Sequence, residues 1–232
     1  MSKHKLLAAL PLAFCSLSAS ADTGDASNLF NEWDNSYYNY GIFSDIPPVL
    51  DRTKAVFGGD FYVVDQTLPV ELTFVTSQAG YNLTVSIAVR DGDGNVGPWQ
   101  EVFVKTGNSV HRTDYLIDPM FFSYASGNGA AEIFLKLDDR TNGYTYYSGL
   151  ASNNPDGVVH AVSFYDYYDG KTLVGFEDLL NGGDRDYDDI VFLVSNVSRT
   201  PAAVVPEPET WAMLLAGLGI VGAVARRRKA DL

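Results

Sequence analysis

Apolar and polar residues alternate along the middle of this chain with a period of two. Leu83, Val85, Ile87 and Val89 fall on one side of such a segment, and Asn82, Thr84, Ser86 and Arg90 on the other. Ala131, Ile133, Leu135 and Leu137 repeat the pattern, as do Val158, His160, Val162 and Phe164, and then Ile190, Phe192 and Val194. Leu72 with Phe74 and Trp99 with Phe103 are weaker cases. Successive side chains of a strand point to opposite faces, so this period marks strands with one buried face. No stretch of the body carries a persuasive helical period. The spacing predicts strands near 57–64, 70–77, 82–90, 99–105, 131–137, 144–149, 158–166, 172–176 and 189–195, punctuated by Gly, Asn and Asp. Such a series reads as an all-β fold, a β-sandwich, and its strand number favours a jelly-roll-like arrangement over an immunoglobulin type.

The two ends break the alternation. Lys3 and Lys5 precede an apolar stretch from Leu6 to Leu17, and Ala19-Ser20-Ala21 supplies small residues at Ala19 and Ala21. That order is a secretory signal peptide, predicting an N-terminal signal helix within 1–21; an uncleaved anchor is the alternative. The single cysteine, Cys15, lies inside this stretch, so a cleaved chain has neither disulfides nor cysteine metal sites. At the other end, Val205-Pro206-Glu207-Pro208 is followed by an apolar run from Trp211 to Ala225 and then Arg226, Arg227, Arg228 and Lys229. The run predicts a single transmembrane helix near 209–225, although about 22 Å of helix is short for a core of roughly 30 Å. The basic cluster after it predicts a cytoplasmic C-terminus and an exported body. A peripheral amphipathic helix is the alternative, and the run has no polar face to support it.

Pro206, Glu207 and Pro208, the apolar span and the terminal arginines together resemble the PEP-CTERM sorting signal of Gram-negative bacteria, over about 205–230. The resemblance implies an inner-membrane-anchored precursor, cleavage near Pro-Glu-Pro by an exosortase-type protease, and association with exopolysaccharide. The mature domain is then expected in the periplasm, at the cell surface or outside the cell. The organisation predicted is a signal peptide over 1–21, a β-sandwich domain over 22–195, a linker over 196–204 and the sorting signal over 205–230.

The formal net charge is −13 at pH 7, and the acidic excess is concentrated in the body. Such a charge opposes nucleic acid and suits an extracellular protein or one that recruits divalent cations. The acids crowd most closely between Val174 and Asp189. Glu177, Asp178, Asp184, Asp186, Asp188 and Asp189 fall within thirteen positions, with Asn181-Gly182-Gly183 between them allowing a sharp turn. Packed carboxylates repel one another unless a cation or an arginine neutralises them. Calcium takes six to eight oxygens in a flexible loop, which makes structural Ca²⁺ the expected cofactor and these six acids its candidate ligands. The alternative is a turn in which the aspartates cap backbone N–H groups and Arg185 pairs with one of them. The stretch from Phe176 to Phe192 also resembles the C-terminal signature of the DUF4114 family, a domain of unknown function in exported bacterial proteins, with looser similarity back to about 110. Members often carry Asn where this chain has Asp188. The resemblance implies an extracellular β-domain with a calcium-stabilised loop and no assigned catalysis.

Other signals are weaker. Asp91-Gly92-Asp93-Gly94-Asn95 has Val96 and Val102 where a helix–loop–helix calcium site needs Gly and Glu, so it reads as a hairpin connection. His160 falls on a core-facing register, as a buried histidine with a backbone partner. Residues 22–55, with Trp33, Tyr37, Tyr38 and Tyr40, read as a strap packed on the domain or as a sugar-stacking surface. No catalytic residue is assigned. The function expected is an exported, non-enzymatic surface or extracellular-matrix protein. A carbohydrate-binding module using the surface tyrosines and a glycan-degrading hydrolase are the alternatives.

Overall fold

The computed structural model describes residues 29–30, 50–125 and 130–201. These form β1 (Val56–Phe57), β2 (Phe61–Val63), β3 (Val70–Thr76), β4 (Leu83–Arg90), β5 (Gln100–Thr106), β6 (Ser109–Val110), β7 (Asp114–Ile117), β8 (Glu132–Asp139), β9 (Tyr144–Tyr147), β10 (Ala161–Tyr168), β11 (Lys171–Phe176), β12 (Ile190–Val194) and β13 (Val197–Ser198). One sheet has the order β1-β10-β11-β12-β3-β7. The other runs β13-β2-β8-β4-β5-β6, with β9 also paired to β8. The pairings are antiparallel, and the chain passes repeatedly from one sheet to the other.

The alternating faces meet between the sheets. Leu83, Val85, Ile87 and Val89 of β4, Ile133, Leu135 and Leu137 of β8, and Ile190, Phe192 and Val194 of β12 all enter one core. Phe103 of β5 reaches across it, 5.5 Å from the Phe192 ring and 6.1 Å from Phe74. Such a core is the largest favourable contribution to folding, at about 25 cal/mol per Å² of apolar surface removed from water.

Several expectations change. The segment 57–64 is two strands, because Phe57 pairs into one sheet with Val162 while Phe61 pairs into the other with Ile133. β10 starts at Ala161, and it is Ala161 that enters the inter-sheet core. Val162 and Phe164 face the opposite way, into a second apolar cluster with Val75, Leu173, Val191 and Leu193. Leu29 and Phe30 close that cluster, fully buried, with the Arg52 side chain donating to the Leu29 carbonyl at 2.8 Å. This part of 22–55 is thus a strap on the domain; Trp33, Tyr37, Tyr38 and Tyr40 lie outside the described residues.

The expected fold class, a jelly-roll-like sandwich flanked by a signal helix and a transmembrane helix, is corrected to the all-β, two-sheet body alone. Among the described residues no helix is long and apolar enough to cross a membrane. The helical pieces are 3₁₀ turns such as Arg52–Lys54, Pro119–Ala125 and Ala151–Asn153, against about 20 residues for a span. The segments 1–21 and 209–225, on which those helices were placed, lie outside the described residues. The inner-membrane-anchored precursor and its cytoplasmic C-terminus depended on that helix and are withdrawn with it.

Candidate functional site

Phe176 of β11 pairs with Ile190 of β12, so the acidic loop leaves and rejoins the sheet at one rung of the ladder. Its conformation is costly. Asn181, Gly182, Gly183, Arg185 and Tyr187 all have positive φ. Asn and Gly adopt that region readily, whereas Arg185 and Tyr187 each oppose it by about 1–2 kcal/mol. Packing offsets the strain at Tyr187, whose ring is buried against Phe57 at 5.6 Å and whose hydroxyl donates to the Val159 carbonyl at 2.9 Å. The loop backbone lies so close to β11 that a Cβ on Gly175 would stand 2.2 Å from the Tyr187 carbonyl oxygen. Gly183 is favoured for a different reason, since its φ is +43° and a Cβ there would press on the Glu177 carboxylate and stand 2.7 Å from the Leu179 Cβ.

Glu177 is the hub. It is fully buried and lies immediately after β11. Its carboxylate accepts from the Leu179 N–H at 3.3 Å through Oε1 and from the Arg185 N–H at 3.1 Å through Oε2. Ligand oxygens of Glu177, Asp184 and Asp186 lie within 4.8 Å of one another, and so do those of Glu177, Asp178 and Asp189. Glu177 therefore joins two carboxylate triads. Asp188, though buried, is in neither; its N–H donates to Asp186 Oδ1 and its carbonyl accepts from the Gln78 N–H at 3.0 Å. Asp189 is half-buried and Asp184 exposed. The sorting positions Ala19, Ala21, Pro206, Glu207, Pro208, Arg226, Arg227 and Arg228 lie outside the described residues.

Burial drives the electrostatics. It raises the Glu177 carboxyl well above the ordinary carboxylate range, and Asp189, Asp184, Asp186 and Asp178 push it further. Asp178 is raised by burial and by Asp139, with hydrogen bonding and Lys105 opposing. Asp189 is raised by burial and by Asp178, while the Asp178 N–H, donating to its Oδ2 at 2.7 Å, works the other way. Asp178 Oδ2 is itself buried and has no hydrogen-bond partner. An orphaned buried carboxylate oxygen costs free energy unless a cation or proton satisfies it.

Two features go beyond the sequence reading, Lys105 and the carboxylate partner of His160. Lys105 is buried, donates to the carbonyls of Ala79 at 2.6 Å and Tyr81 at 2.8 Å, and feels the charges of Asp178 and Asp189. Its signal was available: Lys105 pairs with Leu83 as Phe103 pairs with Val85, so a lysine occupies a core-facing position of β5. The second is the support under the loop. His160 is fully buried, with Nδ1 2.9 Å from the Glu177 carbonyl and Nε2 2.9 Å from Asp156 Oδ2, and its ring stacks on Tyr146 at 3.9 Å. Asp156 Oδ2 also accepts from the Asn181 N–H at 2.7 Å, tying the segment before β10 to the turn. The histidine was expected in the core with one backbone partner, and the carboxylate is a second.

A site for a hard cation fits these residues. Oxygens bound to one Ca²⁺ at about 2.3–2.6 Å must lie within about 5 Å of each other, and both triads meet that limit. The donors are carboxylate oxygens, without nitrogen or sulfur, and the orphaned Asp178 Oδ2 belongs to one of the donor carboxylates.

Residues 98–196 match the family described as Domain of unknown function (DUF4114). Residues 204–229 match the PEP-CTERM protein-sorting motif. The chain carries a DUF4114 domain and a PEP-CTERM sorting motif. The DUF4114 match begins at 98 rather than near 110, so it takes in all of β5, and it ends at Asn196, just past β12. The PEP-CTERM motif supports export and surface sorting, and it implies processing by an exosortase-type system. No curated protein and no solved structure matches the chain.

Proposed function

We propose that this chain is an exported, non-enzymatic surface or extracellular-matrix protein, associated with exopolysaccharide, whose acidic loop is closed by structural Ca²⁺. The observation that carries the calcium reading is the buried, unpartnered Asp178 Oδ2 in a triad whose oxygens lie within 4.8 Å of one another. Glu177 and Asp178 would hold the ion from just after β11 and Asp189 from just before β12, so that the metal pins the two ends of the loop together. Asp184 and Asp186, whose oxygens lie within 4.8 Å of those of Glu177, would supply further oxygens beside it. Bound calcium supplies positive charge that offsets the mutual repulsion of these carboxylates.

The non-enzymatic reading is supported by where the reactive groups sit. Glu177 and Asp178 are buried, with carboxylate oxygens within 4.8 Å of each other, which leaves no room for a sugar between them. Both ring nitrogens of His160 are engaged. Association with exopolysaccharide rests on the resemblance of the sorting motif alone.

Calorimetry of the purified protein with calcium and with chelator tests the loop. At a calcium concentration one hundred times Kd the expected stabilisation is about 2.7 kcal/mol, a rise of roughly 5–10 °C in Tm; an unchanged Tm removes calcium from the proposal. Fractionation of the native host with a mass measurement tests the rest. Recovery outside the cytoplasm, with the chain ending near Pro206–Pro208, is expected. An intact chain confined to the cytosol overturns the reading.

A further inference from the structure

The seven-stranded sheet sends Ile133 and Leu135 of β8 into the core and turns Phe134, between them, to its opposite face. There the Phe134 ring stacks on Tyr147 of β9, with centroids 5.6 Å apart and planes 13° from parallel. Trp99, just before β5, closes a triangle at 5.7 Å from Phe134 and 6.0 Å from Tyr147. With Val96 and Asn153 these rings line an open recess of about 350 Å³. Trp99 is 36% exposed there and Val96 43%.

Polar groups interrupt this aromatic surface and have not been used by the fold. Asn153 spends its Nδ2 on the Ser148 carbonyl at 3.0 Å. Its Oδ1, the Trp99 indole N–H and the Tyr147 hydroxyl have no hydrogen-bond partner among the described residues. The neighbouring cations, by contrast, are already paired. Arg90, 4.6 Å over Phe134, binds Glu132 at 2.6 Å, and Lys136, 5.0 Å over Trp99, binds Asp138 at 2.9 Å.

We propose that this recess is a glycan-binding subsite for a neutral pyranose. A pyranose presents a C–H face that packs on an aromatic ring and an edge of hydroxyls that seek both donors and acceptors. Trp99, Phe134 and Tyr147 supply the ring surface, while Trp99, Tyr147 and Asn153 supply one donor, one hydroxyl and one acceptor. The volume is at the small end for ligand pockets, about 300–1,000 Å³, and matches one or two sugar units of a chain that continues past the open rim. Charge selects the class of glycan. The local cations are neutralised by carboxylates and the chain carries −13 overall, which disfavours a polyuronate. The proposal deepens the surface-protein reading and rests on it for the setting in which a polysaccharide is met.

Calorimetric titration of the full, purified protein with cellohexaose, mannohexaose and an oligogalacturonate tests it. The expected result is saturable binding of at least one neutral oligosaccharide, with millimolar to micromolar Kd and weaker uptake of the oligogalacturonate. Trp99→Ala and Tyr147→Ala each weaken that binding by at least about tenfold, Trp99→Phe by less, with Tm held within about 3 °C of wild type. Tyr147→Phe, which keeps the ring and removes only the hydroxyl, weakens binding severalfold and serves if an alanine variant fails to fold. Flat isotherms with both neutral glycans, wild-type affinity in the folded variants, or preference for the oligogalacturonate would overturn the proposal. A protein that is exported and stabilised by calcium yet gives flat isotherms fails this test alone. One recovered only in the cytosol fails the earlier one.

Discussion

Asp178 is 2% exposed, its N–H is bonded to Asp189, and its own Oδ2 has no partner. Without a cation, the fold holds protons on Asp178, Glu177 and Asp189 at pH values where the unfolded chain, with carboxyls near 4, has released them. More protons are then bound in the native state than in the unfolded state, and stability falls as pH rises from about 4 through the raised folded values. Chelated protein should therefore melt lower at pH 8 than at pH 5.5. The proposed calcium competes with those protons and should stabilise more at pH 8. Asp178→Asn keeps the shape and removes one buried charge. In thermal melts it is expected to flatten the pH dependence of the chelated protein and to lose most of the calcium-dependent rise. A variant that keeps both in full would show that Asp178 is not where the cost resides.

Element-scale packing departs from the simple two-layer picture at β12. All five residues from Ile190 to Val194 are fully buried. Ile190, Phe192 and Val194 enter the core between the sheets, while Val191 and Leu193 enter the second cluster beneath Leu29 and Phe30. A strand with one solvated face would tolerate truncation at every other position. Here Leu193→Ala is expected to cost about 2–5 kcal/mol, comparable to Phe192→Ala at about 3–5 kcal/mol. Equilibrium urea unfolding distinguishes the cases, and a Leu193→Ala cost below about 0.5 kcal/mol would mean that the outer layer adds little stability. The same layer anchors the acidic loop, because Tyr187 belongs to it and the Phe30 N–H donates to the Asp186 carbonyl at 2.8 Å.

The whole molecule is larger than the segment its family match covers. The DUF4114 match begins at residue 98, yet β4 lies between β5 and β8, and β3 lies between β12 and β7. A chain starting at 98 would leave β8 without β4 and β2, and β12 without β3. It would expose the core faces and open long strand edges, which are liabilities for aggregation. Such a chain is expected to show neither cooperative melting nor dispersed amide signals, whereas one starting at 22 shows both. A folded, soluble chain from 98 would mean that β1–β4 are an accessory to the domain.

Local regularities of the sequence determined much of this. The alternation along β3, β4, β5, β8 and β12 placed those strands to within a few residues, because the two-residue repeat is a property of the backbone and needs no partner. The bunching of acids around Asn181-Gly182-Gly183 marked the loop for the same reason. Only tertiary structure decided that Glu177 joins two triads, that Asp188 stands outside them, and that Lys105 and the His160–Asp156 pair adjoin the loop. It alone revealed the short strands β6, β7 and β13 and the second apolar layer on β10–β12. It also brought Trp99, Phe134 and Tyr147 to one recess from three separate segments. Strand pairing joins residues far apart in the chain, and what selects it is the simultaneous burial of many side chains from both sheets, which no local window of sequence records.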